Sequence, residues 1–384
     1  MHFTLVLAVA AATVALTPVR DSDRPPFGGI AHYLVSPLAV WDGGWYVRIA
    51  QQGYGTRKMS AAFWPLYPLL LRLGHWLTGL PYASVGVILS NAAFLAALTA
   101  LFTLVCADYG RDIAVQTVWL AALWPLSFFF SAVYTESLFM LLSVGAVVMG
   151  RSGRWTWAAL WAALAALTRN SGVLVLLPLG VMLLQQSGWD PRRSWPQAIQ
   201  LVAAASAPLV FAVHLDRLWG DPLLMFRVEK YWARFRSTPW HTLLTAYDRT
   251  KHIYLTGRHS CDLNLNVDAI NTCKAALEIK ANIFSDDLSF AFVFGCLILL
   301  PYALWRLQPR DSLYFVAGFA APLFGPATYD PLLSAARYLI VLYPMYISLA
   351  LLLRWRPLFV TTLLGLTAAL CGLLALFAQR YFVS

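Results

Sequence analysis

Charged residues are scarce in this sequence of 384 residues. Aspartate, glutamate, lysine and arginine together make up 12% of it, whereas a soluble domain has about 25%. Hydrophobic residues make up 60%, and the mean hydropathy is +0.64. A chain of this length with so few charged residues cannot form a surface that is exposed to water on all sides. The composition therefore excludes an ordinary soluble globular protein and predicts an all-α, polytopic membrane protein.

The sequence also lacks the short motifs by which many enzymes bind nucleotides and metals. It has no Walker phosphate loop, no GxGxxG pattern, no CxxC pair and no HExxH pattern. The net charge of +10 does not indicate nucleic-acid binding, because most of the excess lies in short loops between apolar segments. We therefore expect no nucleic-acid partner and no resident cofactor. We assign no metal ligand, although a divalent metal is not excluded.

We predict a single integral membrane domain, 1–384. It contains apolar runs of about 20 residues, the length that crosses a bilayer. We predict about eleven transmembrane helices: 3–19, 83–106, 113–130, 132–150, 154–168, 171–186, 199–216, 288–305, 312–326, 333–353 and 357–378. The segment 62–79 is also apolar, but it contains two prolines, Arg72 and His75. We predict an interfacial helix there. If this segment crossed the membrane, the topology of everything after it would be inverted.

The arginines predict which side each loop faces. With the N-terminus in the cytoplasm, the short inner loops contain nine arginines and the short outer loops only two, Arg169 and Arg337. This follows the positive-inside rule, although the first outer loop is basic and opposes it. The first apolar segment could instead be a cleaved signal peptide, despite its poor basic start. In both cases the loops 20–82 and 217–287 are extracytoplasmic.

Several polar residues fall on this predicted outer face. They are Asp42 in the first loop, "YTES" at 134–137, "TRNS" at 168–171 and "SAARY" at 334–338. Charged side chains at membrane depth are costly, and their presence there indicates function by default. Their grouping on one face therefore predicts a functional site, with loop 20–82 as its catalytic loop.

The residue types are suited to transfer of a group to a hydroxyl. A carboxylate can take the acceptor's proton, so Asp42 and Glu136 are the candidate catalytic residues. Arginine can stabilise a departing phosphate, so Arg169 and Arg337 are candidate substrate-binding residues. Aromatic rings offer flat faces to a sugar or a prenyl chain. The other candidate substrate-binding residues are neighbours of these charged ones: Trp41, Trp45, Tyr134, Asn170 and Tyr338.

Each residue assignment has an alternative. Asp42 could cap a helix beginning near Trp45, Glu136 could simply pair with an arginine, and Arg169 and Arg337 could be anchors that reach out to interfacial water.

For the function of the whole protein, the alternatives are a lipid or sugar transporter or flippase, and a non-catalytic scaffold. Transporters tend to have internal repeats and functional groups near the midplane. We find no repeat, and the acids lie near one interface.

Six stretches, in order, carry a family resemblance: "WDGGWYVRIAQQGYG", "AFWPLYPLLLRL", "PLSFFFSAVYTESLF", "ALTRNSGVLVLLPLG", "GDPLLMFRVEKYWAR" and "SAARYLIVLYPMY". Together they resemble the PIG-V-type mannosyltransferases, which are GPI mannosyltransferase 2-like, and their bacterial relatives. These enzymes belong to the GT-C superfamily of polytopic glycosyltransferases. The resemblance runs from residue 40 to about residue 345 and so covers most of the chain.

The resemblance implies a GT-C-like fold and a polyprenyl-phosphate sugar donor, with mannose as the family's usual sugar. The acceptor would be a glycolipid, a polymer or a protein, and transfer would take place on the extracytoplasmic face of a bacterial cell membrane. Asp42 matches the family's catalytic base. One departure is that the stretch before "AFWPLYP" is basic, "TRKMSA", where many relatives have a second acid. Glu136 is the nearest substitute, which puts a two-carboxylate scheme in doubt.

Cys261 and Cys273 are separated by eleven residues in the predicted outer loop 217–287, where an oxidising compartment permits a disulfide. We predict that they form one, with two free thiols as the alternative. Closing a ring of about a dozen residues stabilises the loop by roughly 3 kcal/mol in the chain-entropy model.

Mass spectrometry of protein purified without thiols should find a Cys261–Cys273 cross-linked peptide. Quantitative alkylation of both thiols would contradict the bridge.

Overall fold

The computed structural model describes residues 1–16, 33–256, 282–381 and 383. Over these residues the chain is helical, and the only β pairing is an isolated antiparallel bridge between Arg234 and Ala327. The predicted all-α class is therefore confirmed for the described part of the chain. Cys261 and Cys273 lie outside it, so their bridge stays a prediction.

Seventeen α-helices are found among the described residues. The first nine are α1 His2–Leu16, α2 Asp42–Gln52, α3 Leu66–Thr78, α4 Tyr82–Tyr109, α5 Arg111–Ala122, α6 Glu136–Arg151, α7 Trp155–Ala166, α8 Leu176–Gln186 and α9 Pro191–Ala205. The others are α10 Ala207–Trp219, α11 Leu224–Arg227, α12 Pro239–Thr256, α13 Asn282–Arg306, α14 Pro309–Ala320, α15 Ala335–Leu339, α16 Tyr343–Leu352 and α17 Arg356–Ala378. Short 3₁₀ helices connect several of them, among them Asn170–Val175 and Val228–Trp232.

Four helical stretches in the described residues are long and apolar enough to cross a membrane: Tyr82–Tyr109, Arg192–Trp219, Asp287–Arg306 and Arg356–Ala378. Four shorter helices are also apolar, so the chain is a polytopic integral membrane protein. These lengths do not confirm the predicted count of about eleven spans. Prolines, which cannot donate a backbone hydrogen bond, interrupt two of the predicted ones. Pro125 follows the end of α5, and Pro344 lies at the start of α16.

The segment predicted to be interfacial forms α3, a helix of 13 residues. At 1.5 Å per residue it is about 20 Å long, shorter than the roughly 30 Å of a hydrocarbon core. Tyr67 and Leu71 are buried on one side, whereas Trp76 is 78% exposed on the other. The guanidinium of Arg72 donates to the carbonyl oxygen of Ala50 at 2.7 Å, which fixes α3 against the end of α2. The helix is therefore too short to cross the hydrocarbon core by itself, and it packs against the other helices with one side only.

Two groups of polar residues lie at opposite ends of α6. At its Arg151 end, Asp108 pairs with Arg151 and Arg310, and Asp311 accepts a hydrogen bond from the Tyr343 hydroxyl at 2.6 Å. These contacts join three loops that the sequence predicts on the inner face. The other end of α6 begins at Glu136, where the predicted outer residues are found. The loops thus form two separate groups at the two ends of α6, and the side of the membrane that each group faces stays a prediction.

Gly172 marks the closest approach between α7 and the segment that follows it. A Cβ at this position would lie 2.1 Å from the carbonyl oxygen of Ala165, which is a severe overlap. We predict that Gly172→Ala pushes away the turn that carries Arg169 and destabilises the fold by about 1–3 kcal/mol, as other overpacked sites do. The measurement is the thermal unfolding midpoint in detergent.

Gly180→Ala is the matched control, because a Cβ at Gly180 would meet nothing within 4 Å and alanine is favoured inside a helix. Equal midpoints for the two variants would show that the contact at Gly172 is not required.

Candidate active site

Asp42 and Glu136 are 94 positions apart in the sequence, and backbone contacts bring their segments together. The N–H of Val133 donates to the carbonyl oxygen of Leu38 at 2.8 Å. The hydroxyl of Tyr134 donates to the carbonyl oxygen of Val40 at 3.1 Å. The first outer loop is therefore fixed against the start of α6.

The residue before Asp42 has an unusual backbone. Trp41 has φ 55° and ψ −118°, a conformation that bulky residues rarely adopt. Helix α2 begins directly after it, at Asp42 rather than near Trp45, so Trp41 and not Asp42 occupies the N-cap position. The carboxylate of Asp42 is thus free of the capping role considered above. Such backbone strain is typical of functional sites.

The Asp42 carboxylate belongs to a network of four charged side chains. Arg337 donates from Nη1 to Asp42 Oδ2 at 2.6 Å, and its Nε lies 3.4 Å from Glu136 Oε1. Arg169 Nη1 lies 3.3 Å from the same Glu136 oxygen. The two acids and two arginines selected from the sequence therefore form one connected cluster.

Burial separates the members of this cluster. The Asp42 side chain is 28% exposed, whereas those of Arg337, Arg169 and Glu136 are 9%, 8% and 1% exposed. Neither arginine reaches out to interfacial water, so their placement is not that of surface anchors. Buried charges are costly unless each has a partner, and here every buried charge has one. Asp42 is the member that remains accessible.

Aromatic rings surround the two guanidinium groups. The guanidinium carbon of Arg337 lies 5.2 Å from the ring centre of Tyr134 and 5.4 Å from that of Tyr338. Arg169 lies 5.0 Å from the Tyr338 ring. Rings at these distances attract cations through their negative faces. Tyr338 therefore holds both arginines in place from one side.

A third arginine fixes the segment that carries Arg337. Arg234 donates from Nη1 to the carbonyl oxygen of Gly325 at 2.6 Å and from Nη2 to that of Leu333 at 3.0 Å. Ser334, the N-cap of α15, follows with φ 60°. Arg234 was not selected from the sequence.

Asp42 opens into a cavity of about 390 Å³. Arg169, Asn170, Arg337 and Tyr338 also line it, together with Trp41 and Trp45. The other two candidate residues, Tyr134 and Glu136, lie behind this wall. The structure thus brings together every described residue that the sequence selected, but it separates those that face the cavity from those that support it.

One wall of this cavity is aromatic. The rings of Trp45 and Phe63 are stacked, with centres 5.5 Å apart, and the Trp232 ring meets them edge-on at 6.3 and 6.0 Å. Tyr46 lies beside them. Burial, reinforced by the charges of Asp42 and Glu136, raises the Tyr46 pKa well above its ordinary value. Its hydroxyl therefore stays protonated at neutral pH.

A second, larger cavity of about 750 Å³ adjoins the first. Its lining is largely apolar and includes Phe139, Leu174, Gly318 and Leu342. Besides Arg234, three cations line it: Arg227, Lys230 and Arg236. Four residues line both cavities and form their common boundary: Asn170, Glu229, Arg234 and Tyr338.

Sequence reasoning missed Glu229 and Arg234. Both lie in the stretch "VEKYWAR", which combines charged and aromatic residues within the predicted outer loop 217–287. That composition could have indicated a site. Glu229 pairs with Arg234, but the carbonyl oxygens that hold Arg234 belong to Gly325 and Leu333, 91 and 99 positions away, so no local pattern identifies the site.

The described residues offer no preformed metal site, since no three His, Cys, Asp or Glu side chains are grouped to bind an ion. The oxygens of Asp42 and Glu136 nearest to the arginines are already ion-paired. In this cluster the positive charge beside the acids is supplied by guanidinium groups.

A family model described as "Mannosyltransferase (PIG-V)" matches residues 4–211. The chain is 30% identical over 263 residues to GPI alpha-1,6-mannosyltransferase 2 of Mus musculus, covering 59% of this chain and 52% of that protein. It is 29% identical over 173 residues to the enzyme of the same name from Rattus norvegicus, covering 42% of this chain and 34% of that protein. The matches thus span about half the length of these relatives or less.

A solved structure of ArnT from Cupriavidus metallidurans bound to undecaprenyl phosphate has a similar fold. It superposes with a TM-score of 0.55 and 15% sequence identity, covering 97% of this chain and 64% of that one. ArnT belongs to the GT-C superfamily. At this identity the similarity shows the fold alone, and it confirms the expected GT-C-like architecture.

Proposed function

The chain belongs to the mannosyltransferase (PIG-V) family, and we propose that it is a membrane glycosyltransferase. It transfers mannose from a polyprenyl-phosphate donor to an acceptor hydroxyl on the extracytoplasmic face, with Asp42 as general base. The observation that carries this proposal is the position of Asp42, which is the accessible member of an otherwise buried charge cluster at a cavity wall.

The larger cavity suits the lipid part of such a donor. Its apolar lining matches a prenyl chain, and its cations, among them Arg227, Lys230 and Arg236, attract the negatively charged phosphate to which that chain is attached. The sugar would then extend past the common boundary towards Asp42. A lipid-linked donor of this kind needs no nucleotide-binding domain.

The reaction is a single displacement. Asp42 takes the proton of the acceptor hydroxyl as its oxygen bonds to the sugar's anomeric carbon, and the bond from that carbon to the phosphate oxygen breaks. The phosphate leaves with the bonding electrons. A positioned base typically contributes about 10²–10⁴-fold to such a step.

Arg169 and Arg337 stabilise the charge that develops on the phosphate. Arg337 uses Nη1 and Nε for the two acids, and Arg169 directs Nη1 at Glu136. Since a guanidinium has five N–H donors, each keeps donors for a phosphate oxygen. Glu136 does not line the cavity, so we propose that it holds both arginines in position and does not itself touch the substrate.

The same geometry distinguishes this function from that of a transporter or flippase. Asp42, the proposed base, lies at the start of α2 in the predicted outer loop, and its partners Glu136, Arg169 and Arg337 lie at the start of α6, in the turn after α7 and in the short helix α15. A transport site would be expected near the midplane, between internal repeats. A base beside a group of phosphate-binding arginines serves group transfer.

The proposed orientation places about eleven spans between a cytoplasmic N-terminus and an extracytoplasmic C-terminus. We expect alkaline phosphatase fused after Ser384 to be active in intact bacterial cells, because this enzyme folds only where disulfides form. A fusion after Arg154, in a predicted inner loop, is the control and should be inactive. An inactive fusion after Ser384 would mean that 62–79 spans the membrane after all.

Asp42→Asn tests the base assignment. The amide keeps the shape of the side chain but cannot take a proton, so turnover should fall at least 100-fold while protein yield stays close to that of wild type. The measurement is transfer of radiolabel from polyprenyl-phosphate mannose in membranes, followed by identification of the labelled product.

The control for this test is Asp112→Asn, which neutralises an exposed acid at the opposite end of the bundle and should leave turnover unchanged. If Asp42→Asn retained more than about a tenth of wild-type turnover, the loss would be too small for a general base.

A further inference from the structure

Glu229 is a carboxylate at the boundary between the two cavities, and it lines both of them. Its side chain is 37% exposed, compared with 1% for that of Glu136. Asp42 and Glu229 are therefore the two acids that face the smaller cavity. A group passing from the larger cavity to Asp42 must pass Glu229.

The local fold directs Glu229 and Trp232 to the same side. Both lie in the 3₁₀ helix Val228–Trp232, in which residues three positions apart are eclipsed. Ala233 then reverses the chain with φ 53°, and the N–H of Arg234 donates to the carbonyl oxygen of Glu229 at 3.3 Å. The carboxylate and the indole ring are thus presented together to the cavity.

Arg234 holds the carboxylate from behind. Its Nε lies 3.5 Å from Glu229 Oε2, and its other nitrogens are occupied by the carbonyl oxygens of Gly325 and Leu333. The guanidinium therefore has little freedom to follow a moving partner. A carboxylate has about four lone-pair sites, so most of those on Glu229 remain available to a ligand.

The electrostatic surroundings favour a ligand that donates hydrogen bonds. Burial raises the pKa of Glu229 above its ordinary value and the negative charge of Asp42 adds to this, whereas Arg234 lowers it. Hydroxyl groups would supply to this carboxylate the hydrogen bonds that bulk water gives to an exposed one. An anionic ligand group would instead be repelled by both acids.

The aromatic rings of the same cavity suit the apolar face of a sugar. Trp45, Phe63 and Trp232 form a cluster of apolar rings in the wall of the cavity that Glu229 also lines. A hexose has hydroxyls at its edge and an apolar face of C–H groups, so it matches a ring beside an acceptor.

We propose that Glu229 is a specificity-determining residue that accepts a hydrogen bond from one hydroxyl of the transferred hexose, while Trp232 packs against the sugar's apolar face. This inference rests on the proposed glycosyltransferase function and names the side chains that select its sugar. Neither Asp42, which acts on the acceptor hydroxyl, nor the cations of the larger cavity take part in this contact.

The test compares polyprenyl-phosphate mannose with mono-deoxy analogues, each lacking one sugar hydroxyl, on wild type, Glu229→Gln and Glu229→Ala. On wild type, we expect one analogue to be transferred about 10- to 100-fold less efficiently (kcat/KM) than the parent donor, the value of one charge-assisted hydrogen bond. On Glu229→Ala the same analogue should equal the parent. Because each ratio is measured on one protein preparation, a reduced yield of folded variant does not affect it.

Asp248→Asn is the control, since it neutralises an exposed acid of the same loop that lines neither cavity. It should keep the wild-type discrimination. An unchanged ratio on Glu229→Ala would overturn the inference, and so would a folded Glu229→Gln protein without turnover, because losing one hydrogen bond lowers the rate by no more than about 100-fold. If wild type transferred no sugar from any lipid-linked donor, the proposed function itself would fail.

Discussion

The site depends on Arg337, which lies between the carboxylates of Asp42 and Glu136. Removing a charge from water costs several kcal/mol, and a close opposite charge offsets that cost. Glu136 and Arg337 therefore stabilise each other within the protein, and Arg169 adds a second cation to the same oxygen. Asp42 meets this buried group at its accessible edge. Removing one buried partner would leave the others uncompensated, at a cost of about 3–5 kcal/mol.

The rest of the architecture keeps these four side chains in position. They come from the first outer loop, the start of α6, the turn after α7 and the short helix α15. Backbone hydrogen bonds hold the first of these segments against the second, and Arg234 holds the last. Two residues with left-handed backbone, Trp41 and Ser334, lie next to the charged side chains that they orient. Strain of this kind persists only where surrounding contacts enforce it.

The two cavities differ in polarity, and each suits a different part of the proposed donor. The larger one offers apolar surface with cations, and the smaller one offers acids, arginines and rings. Their shared residues, Glu229 and Arg234 among them, lie where a lipid-linked sugar would change from its hydrophobic part to its polar part. The polar site lies at one end of the bundle, and in the proposed orientation this end faces the outside, from which a hydrophilic acceptor would approach.

The sequence by itself determined the membrane class, the helical fold and the family, because composition, apolar run length and ordered motifs are local properties of the chain. It also identified Asp42, Glu136, Arg169 and Arg337, since charges are rare near apolar segments and their cost makes each one conspicuous. Tertiary structure alone decided which of them line the cavity: Asp42, Arg169 and Arg337 do, while Glu136 is buried behind the arginines. It also decided the roles of Glu229 and Arg234, because Arg234 is held by the distant carbonyl oxygen of Leu333 and only packing brings Glu229 to the same cavity as Asp42.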